Sequence, residues 1–219
     1  MRIVIFGPQG AGKGTQAERI AERFSIPAIS TGEIFRWAMQ GKTALGLRVF
    51  EYVDNGKLVP DDLTIQVVKD RLEAGDSREG FLLDGFPRSM RQAEALDKIM
   101  ADQGASLDAA LVIDVPEDVS LRRLLGRRAC SKCGHNYHVD QPPNENWTCD
   151  VCGGPVVGRT DDIDERTIRH RLGLYHEQTE PLKAYYGDRG LLREVDGIGT
   201  TDEVFARIEA ALDSGGSGK

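Results

Sequence analysis

Short apolar runs rich in β-branched residues recur along the chain, at Arg2–Phe6, Phe81–Asp84, 109–115 and 191–195, with a weaker run at 26–29. Between them, apolar positions fall at helical spacing over Lys13–Phe24, 33–40, 61–74, 89–103, 119–128, 165–186 and 202–212. Strands alternating with helices predict βαβ crossovers and a parallel sheet of about five strands with helices on both faces. Runs this uniformly apolar fit strands buried on both faces. Ligands of such sheets bind at the carboxyl ends of the strands, which directs attention to the residues following Phe6, Asp84 and Val115. Two segments break the rhythm. Residues 30–59 are mostly helical and carry no strand of their own, with Ser30 and Glu33 at capping-box spacing. Residues 129–158 hold every cysteine together with Pro142, Pro143 and Pro155, as a loop-rich insert held by something other than an apolar core. No internal repeat is present, and the Gly/Ser-rich tail at 213–219 is expected outside the fold.

Composition narrows the picture. With 219 residues, 40% hydrophobic and 29% charged, the chain is globular and long enough for one core with inserts. Lys and Arg number 28 against 35 Asp and Glu, a net charge of −7. So acidic a chain is not built to bind bulk nucleic acid or anionic membrane; an anionic ligand must be met by locally concentrated arginine. The apolar run at the N-terminus is too short for a signal peptide, and no run approaches the roughly 18 residues of a membrane span. A cytoplasmic, reducing location is expected, where disulfides are rare.

Candidate chemistry follows the strands. Gly7-Pro8-Gln9-Gly10-Ala11-Gly12-Lys13-Gly14-Thr15 comes after the first run and opens a helix, the context a phosphate-binding loop requires. Its glycines let backbone N–H groups approach an anion at a helix N-terminus, and Lys13 adds a point charge. The usual hydroxyl directly after the lysine is displaced by one position, to Thr15. Asp84-Gly85-Phe86-Pro87-Arg88 follows another strand, with Gln92 one helical turn further on. Asp84 is placed to orient water on Mg²⁺. Arg88 offers a planar fork to a phosphate, and Gln92 offers a donor and an acceptor to a base edge. Arg123 and Arg127, four apart on a predicted helix, would share one face; Arg159, Asp161 and Asp162 leave the insert and Arg171 lies on the next helix. Phosphoryl transfer needs such cations around its spread negative charge. Cys130-x₂-Cys133 and Cys149-x₂-Cys152, fifteen residues apart, form a structural zinc signature with a closed four-thiolate shell. Disulfides, and His135 or His138 as ligands, are the weaker alternatives.

The displaced hydroxyl in Gly12-Lys13-Gly14-Thr15-Gln16, with the other motifs above, resembles the adenylate kinases of the long type with a large lid, over about residues 1–212. The resemblance implies a P-loop NTPase-like α/β fold: a parallel five-stranded sheet with flanking helices in a core of 1–29, 60–125 and 163–219. It adds a helical acceptor-binding insert at 30–59 and a zinc-bearing lid at 126–162. It implies reversible transfer of the γ-phosphate of Mg-ATP to AMP, giving two ADP; nothing in the sequence demands a partner subunit, so a monomer is expected, with no nucleic-acid or membrane partner on the ground of the acidic charge. ATP would be held by Gly10, Ala11, Gly12, Lys13, Gly14, Thr15, Arg123, Arg127, Asn136, Tyr137 and Gly199; Tyr137 fits lid packing equally well. AMP would be held by Thr31, Arg36, Lys57, Leu58, Val59, Gly85, Phe86, Pro87, Arg88, Gln92, Arg159 and Arg171. Lys13, Asp84, Arg88, Arg123, Arg159 and Arg171 would be catalytic, with Mg²⁺ arriving on ATP and Zn²⁺ structural. The stretch from Arg159 to Arg171 is one residue longer than the family's usual spacing, so Arg169 remains an alternative to Arg171. Another nucleoside monophosphate kinase, or a nucleic-acid-binding zinc ribbon, are the rival readings.

Overall fold

The computed structural model describes residues 1–53, 59–159, 162 and 164–213. The expectations for Lys57, Leu58 and Asp161, and for the tail beyond Asp213, lie outside the described residues. The chain begins with β1 (Arg2–Phe6), α1 (Lys13–Phe24), β2 (Ala28–Ser30), α2 (Thr31–Gln40), α3 (Ala44–Val53) and α4 (Asp61–Leu72). Next come β3 (Phe81–Asp84), α5 (Met90–Asp102), β4 (Ala109–Asp114) and α6 (Glu117–Gly126). A cysteine-bearing unit follows, with β5 (Arg127–Cys130), β6 (Asn136–His138) and β7 (Val156–Gly158). The chain then returns through α7 (Glu165–Leu174), a π-helical turn (Tyr175–Thr179), α8 (Leu182–Gly187), β8 (Leu192–Asp196) and α9 (Thr201–Asp213).

Five strands form one parallel sheet in the order β2-β3-β1-β4-β8, and β6-β5-β7 form a separate antiparallel one. Because side chains alternate along a strand, the parallel sheet builds two cores. Val4, Phe6, Leu83 and Val112 face α4, α5 and α8 through Val68, Leu96 and Tyr186. Ile3, Ile5, Leu82, Leu111 and Ile113 face α1 and α9 through Ile20, Val204 and Ile208. Each such side chain contributes about 1.5–3 kcal/mol, which rigidifies the strand ends that carry the site. Among the described residues no helix is long and apolar enough to cross a membrane.

The structure departs from the sequence expectations at four places. The second strand lies at Ala28–Ser30 rather than 26–29. Ser25, in the left-handed conformation at φ 51°, ends α1 and turns Ile26 into the core beneath, while Pro27 has no N–H to give a ladder. Ser30 occupies the N-cap position of α2, but its hydroxyl caps nothing. The predicted helix at 119–128 stops at Gly126, and Arg127 opens β5 with extended backbone (φ −68°, ψ 137°). From Arg127 the chain pairs with β6, Arg127 opposite His138, and the His138 ring packs so closely on Gly126 that an added Cβ would lie 2.0 Å from it. Arg123 and Arg127 therefore do not share a helix face. The stretch 165–186 breaks into two helices at the π turn, where Glu180 N–H reaches Tyr175 O at 2.9 Å just before Pro181.

Candidate active site

The loop after β1 is shaped by close backbone approaches. A Cβ on Gly7 (φ 147°) would sit 2.1 Å from Ile113 O, and one on Gly10 (φ 83°) 2.8 Å from Ser120 O. Gly12 (φ 95°) faces open space at the N-cap of α1. The loop is thus pressed against β4 and α6, with its mouth open at the start of α1. Ala11 is buried and its N–H closes a turn on Pro8 O at 3.2 Å, while Gly14 and Thr15 are exposed in the first helical turn. Lys13 Nζ donates to Gly7 O and Pro8 O, both at 2.8 Å, which holds the ammonium across the loop. Lys13 keeps partial access to solvent, yet the protein packed around it depresses its pKa to about 8. Desolvation is the main cause; Asp84 opposes it, and Arg88, Arg127 and Arg171 add to it. Four segments of chain, those of Lys13, of Asp84 and Arg88, of Arg127 and of Arg171, therefore bring charge to the carboxyl edge of the sheet.

On the β3 side, Thr31 is buried beside the turn after Asp84, its Oγ1 donating to Gly85 O at 3.0 Å. Gly85 (φ 79°) is crowded, with Thr31 Oγ1 and Arg88 Nη2 within 2.9 Å of any added Cβ. Phe86 is buried in the core, so only its backbone is free to meet a ligand, and the bond to Pro87 is cis. Arg88 is held by its Nε donating to Gly85 O at 2.8 Å, and its carbonyl accepts from Thr179 Oγ1 at 2.9 Å. Arg36 lies against Gly32 in the first turns of α2, and Val59 is half-buried before α4. Gln92 is 4% exposed: its Oε1 accepts from Arg88 N–H at 2.8 Å and its Nε2 donates to Asp61 Oδ1 at 2.6 Å.

The arginines divide into two groups. Arg123 donates to Gly10 O at 3.3 Å and Gly197 O at 3.0 Å, bridging the phosphate loop to the turn that carries Gly199 (φ 120°). Arg127 and Arg171 share the buried carboxylate of Asp162, at 2.6 Å and 2.7 Å. Arg159 is half-buried one turn before, its carbonyl accepting from Asp162 N–H at 3.1 Å. Arg169 points elsewhere, pairing with Glu117 and Glu165 on the surface. It is therefore Arg171, not Arg169, that joins Arg127 on Asp162 and whose charge bears on Lys13.

In the cysteine-bearing unit, all four sulfurs lie within 4.8 Å of one another, with Cys130–Cys152 at 3.5 Å and Cys133–Cys149 at 3.6 Å. A disulfide needs about 2.05 Å, and all four are free thiols. A tetrahedral zinc shell with bonds near 2.3 Å spaces its sulfurs by about 3.8 Å, so the set fits that ion. His135 and His138 are not in the cluster. Tyr137 OH donates to Cys149 Sγ at 3.4 Å and accepts from Asp150 N–H at 2.8 Å, so its hydroxyl braces the cluster. Asn136 is exposed on β6.

Two residues of the site had no role assigned from sequence. Asp162 stood only as a charge near Arg159, and Asp61 only as the start of a helix. Neither lies in a recognisable motif, and each acts through partners far along the chain.

The family model described as adenylate kinase matches residues 5–191. The chain is 52% identical over 213 residues to the adenylate kinase of Clostridium acetobutylicum, spanning 97% of this chain and 99% of that relative. It is 51% identical to that of Carboxydothermus hydrogenoformans, again over 97% and 99%, and 50% identical to that of Clostridium tetani, over 97% and 98%. Likeness on this scale extends far beyond the phosphate loop, and the chain belongs to the adenylate kinase family.

Proposed function

We propose a division of labour in this cleft for the reaction of the family, the reversible transfer of the γ-phosphate of ATP to AMP giving two ADP. The loop from Gly10 to Thr15 and the Lys13 ammonium receive the β- and γ-phosphates of ATP. Arg88 and Arg36 take the AMP phosphate; Thr31, Val59, the Gly85-Phe86-Pro87 backbone and Gln92 line the acceptor nucleoside. Arg123, Arg127, Arg159 and Arg171 neutralise the phosphates as they approach. An oxygen of the AMP phosphate attacks the γ-phosphorus, the bond to the β–γ bridging oxygen breaks, and ADP leaves. No covalent enzyme intermediate is needed, so the protein acts by positioning and electrostatics. Mg²⁺ arriving with ATP would neutralise its outer oxygens, and Asp84 is the carboxylate placed to hold its water shell.

The carrying observation is the Lys13 ammonium held across the loop on Gly7 O and Pro8 O, with its charge acted on by Asp84, Arg88, Arg127 and Arg171 from three other segments of chain. We assign 30–59 to acceptor binding and 126–162 to a lid over ATP, with Gly199 and Asn136 nearest the ATP base and Tyr137 available only through its ring. Closure of both excludes water and so protects ATP from hydrolysis. Zn²⁺ in the four cysteines makes the lid rigid without taking part in chemistry. The chain is read as a cytoplasmic monomer. The test is a coupled assay offering AMP, UMP, CMP and GMP in turn with ATP, then AMP with GTP. AMP with ATP should give the highest kcat/KM; faster turnover of UMP or CMP would assign the acceptor site to another nucleotide.

A further inference from the structure

The Gln92 amide is almost fully buried and makes two of the four hydrogen bonds open to it. Oε1 accepts from Arg88 N–H at 2.8 Å, and one Nε2–H goes to Asp61 Oδ1 at 2.6 Å. The other oxygen of Asp61 accepts from Ser89 Oγ at 2.7 Å; that hydroxyl in turn caps α5 by accepting from Gln92 N–H at 3.3 Å. Asp61 is therefore gripped from two sides, and it holds the amide by its nitrogen end. Turning the amide over would set NH₂ against the Arg88 N–H and a carbonyl oxygen against the Asp61 carboxylate. Both contacts would be repulsive around a side chain only 4% exposed, so the amide has one orientation.

That orientation has a chemical consequence. A carboxamide that could turn over would read either adenine, with an acceptor at N1 and a donor at N6, or a 6-oxo purine, where the two are reversed. Locked, it keeps one Nε2–H and one Oε1 lone pair in fixed places. We propose that Asp61 is a positioning residue that fixes which way round Gln92 faces the acceptor base, and so separates AMP from its 6-oxo counterparts. Asp61 opens α4, directly after the acceptor insert, whereas Gln92 is on α5, so the lock also joins the end of the insert to the wall of the base site. The inference rests on the reading above that Gln92 faces the acceptor base.

The test measures kcat and KM for AMP and for inosine monophosphate in Asp61→Ala, Asp61→Asn, Gln92→Ala and the Asp61→Ala/Gln92→Ala double variant, with the melting temperature of each. Asp61→Ala should raise KM for AMP and cut the AMP-to-inosine-monophosphate ratio of kcat/KM by about tenfold, the scale of losing one oriented amide–base pair, with kcat for AMP nearly kept. Asp61→Asn still accepts from Gln92 and can donate to Ser89, so it should keep the parent ratio. In the Gln92→Ala background Asp61→Ala should cost no further selectivity. Should Asp61→Ala fail to fold, Asp61→Ser, too short to reach the amide, is read in the same way. A Gln92→Ala variant with unchanged AMP parameters would overturn the reading of Gln92 itself. If Gln92→Ala has its effect while Asp61→Ala has none, or the two effects add, the lock is wrong and the base reading stands.

Discussion

Lys13 is the residue whose titration reports on the site. Its pKa of about 8 in the free protein lies well below that of an ordinary lysine. Above pH 8 the free chain therefore holds Lys13 increasingly neutral, whereas a bound triphosphate favours the ammonium. Binding should take up a proton wherever the free and bound states differ, from about pH 8 upward until the bound group itself titrates. Calorimetry of ATP binding in buffers of different ionisation heat should give roughly 0.7 proton taken up at pH 8.5 and almost none at pH 7; no uptake at pH 8.5 would mean that Lys13 does not meet the phosphates. Arg88 tests the acceptor side of the same charge cluster. Its Nε is fixed on Gly85 O, so Arg88→Ala removes an oriented phosphate donor and should lower kcat/KM by about 100-fold. A loss below tenfold would remove Arg88 from the role assigned to it. Lys13 and Arg88 were legible in sequence because each lies in a glycine-bearing turn after a strand. Asp61 and Asp162 were not, because an acid's importance here comes from its partner.

At the scale of elements, the cysteine-bearing unit depends on the least apolar burial. Its buried cluster comprises Cys130, Cys149 and Val156, with Cys133, Cys152 and Tyr137 packed against them. So few side chains do not fold a unit of this length without a staple. Metal removal should therefore lower the melting temperature and expose the amides of β5, β6 and β7 to hydrogen exchange, while β1, β3 and β4 stay protected. Protein stripped of metal, as verified by elemental analysis, that melts unchanged would overturn a structural ion. Elements were read from sequence where one period dominates, as in β1, α1, β3 and α5. The reading failed at the end of α6 because helical spacing continues past Gly126, whereas from Arg127 the backbone pairs with β6 and β7, partners far along the chain. It failed in 165–186 for a similar reason: the apolar positions continue across the π turn, which Pro181 and the Glu180–Tyr175 bond create.

For the whole molecule, the decisive joint is Asp162. Arg127 stands where the chain enters the cysteine-bearing unit, Asp162 stands just after it leaves, and Arg171 is on α7. One buried carboxylate thus fastens the base of the unit to the core while aligning two of the cations near Lys13. Asp162→Ala would leave two partly buried guanidinium groups facing each other. The expected loss is about 3 kcal/mol, at the low end for a broken buried ion pair because both arginines keep some solvent; in a chain of this size that is roughly 6–12 °C of melting temperature. Activity should fall as well, and Asp162→Asn, which keeps an acceptor oxygen for one arginine but turns an NH₂ toward the other, should recover only a small part of each loss. An Asp162→Ala protein with unchanged melting and turnover would show that the joint has no such role.

The amino-acid sequence by itself determined the strand–helix alternation, the phosphate loop and the paired Cys-x₂-Cys turns, because each is written in residues a few positions apart and follows from local geometry. Only the tertiary structure decided that Arg171 rather than Arg169 turns inward, that Arg127 belongs to a strand, that Asp61 accepts from the Gln92 amide and that Asp162 joins Arg127 to Arg171. Those outcomes depend on contacts across 31 residues for Asp61 with Gln92 and 35 for Arg127 with Asp162. Burial there makes an unpartnered charge costly, so the pairing that satisfies it is chosen by the packed fold as a whole.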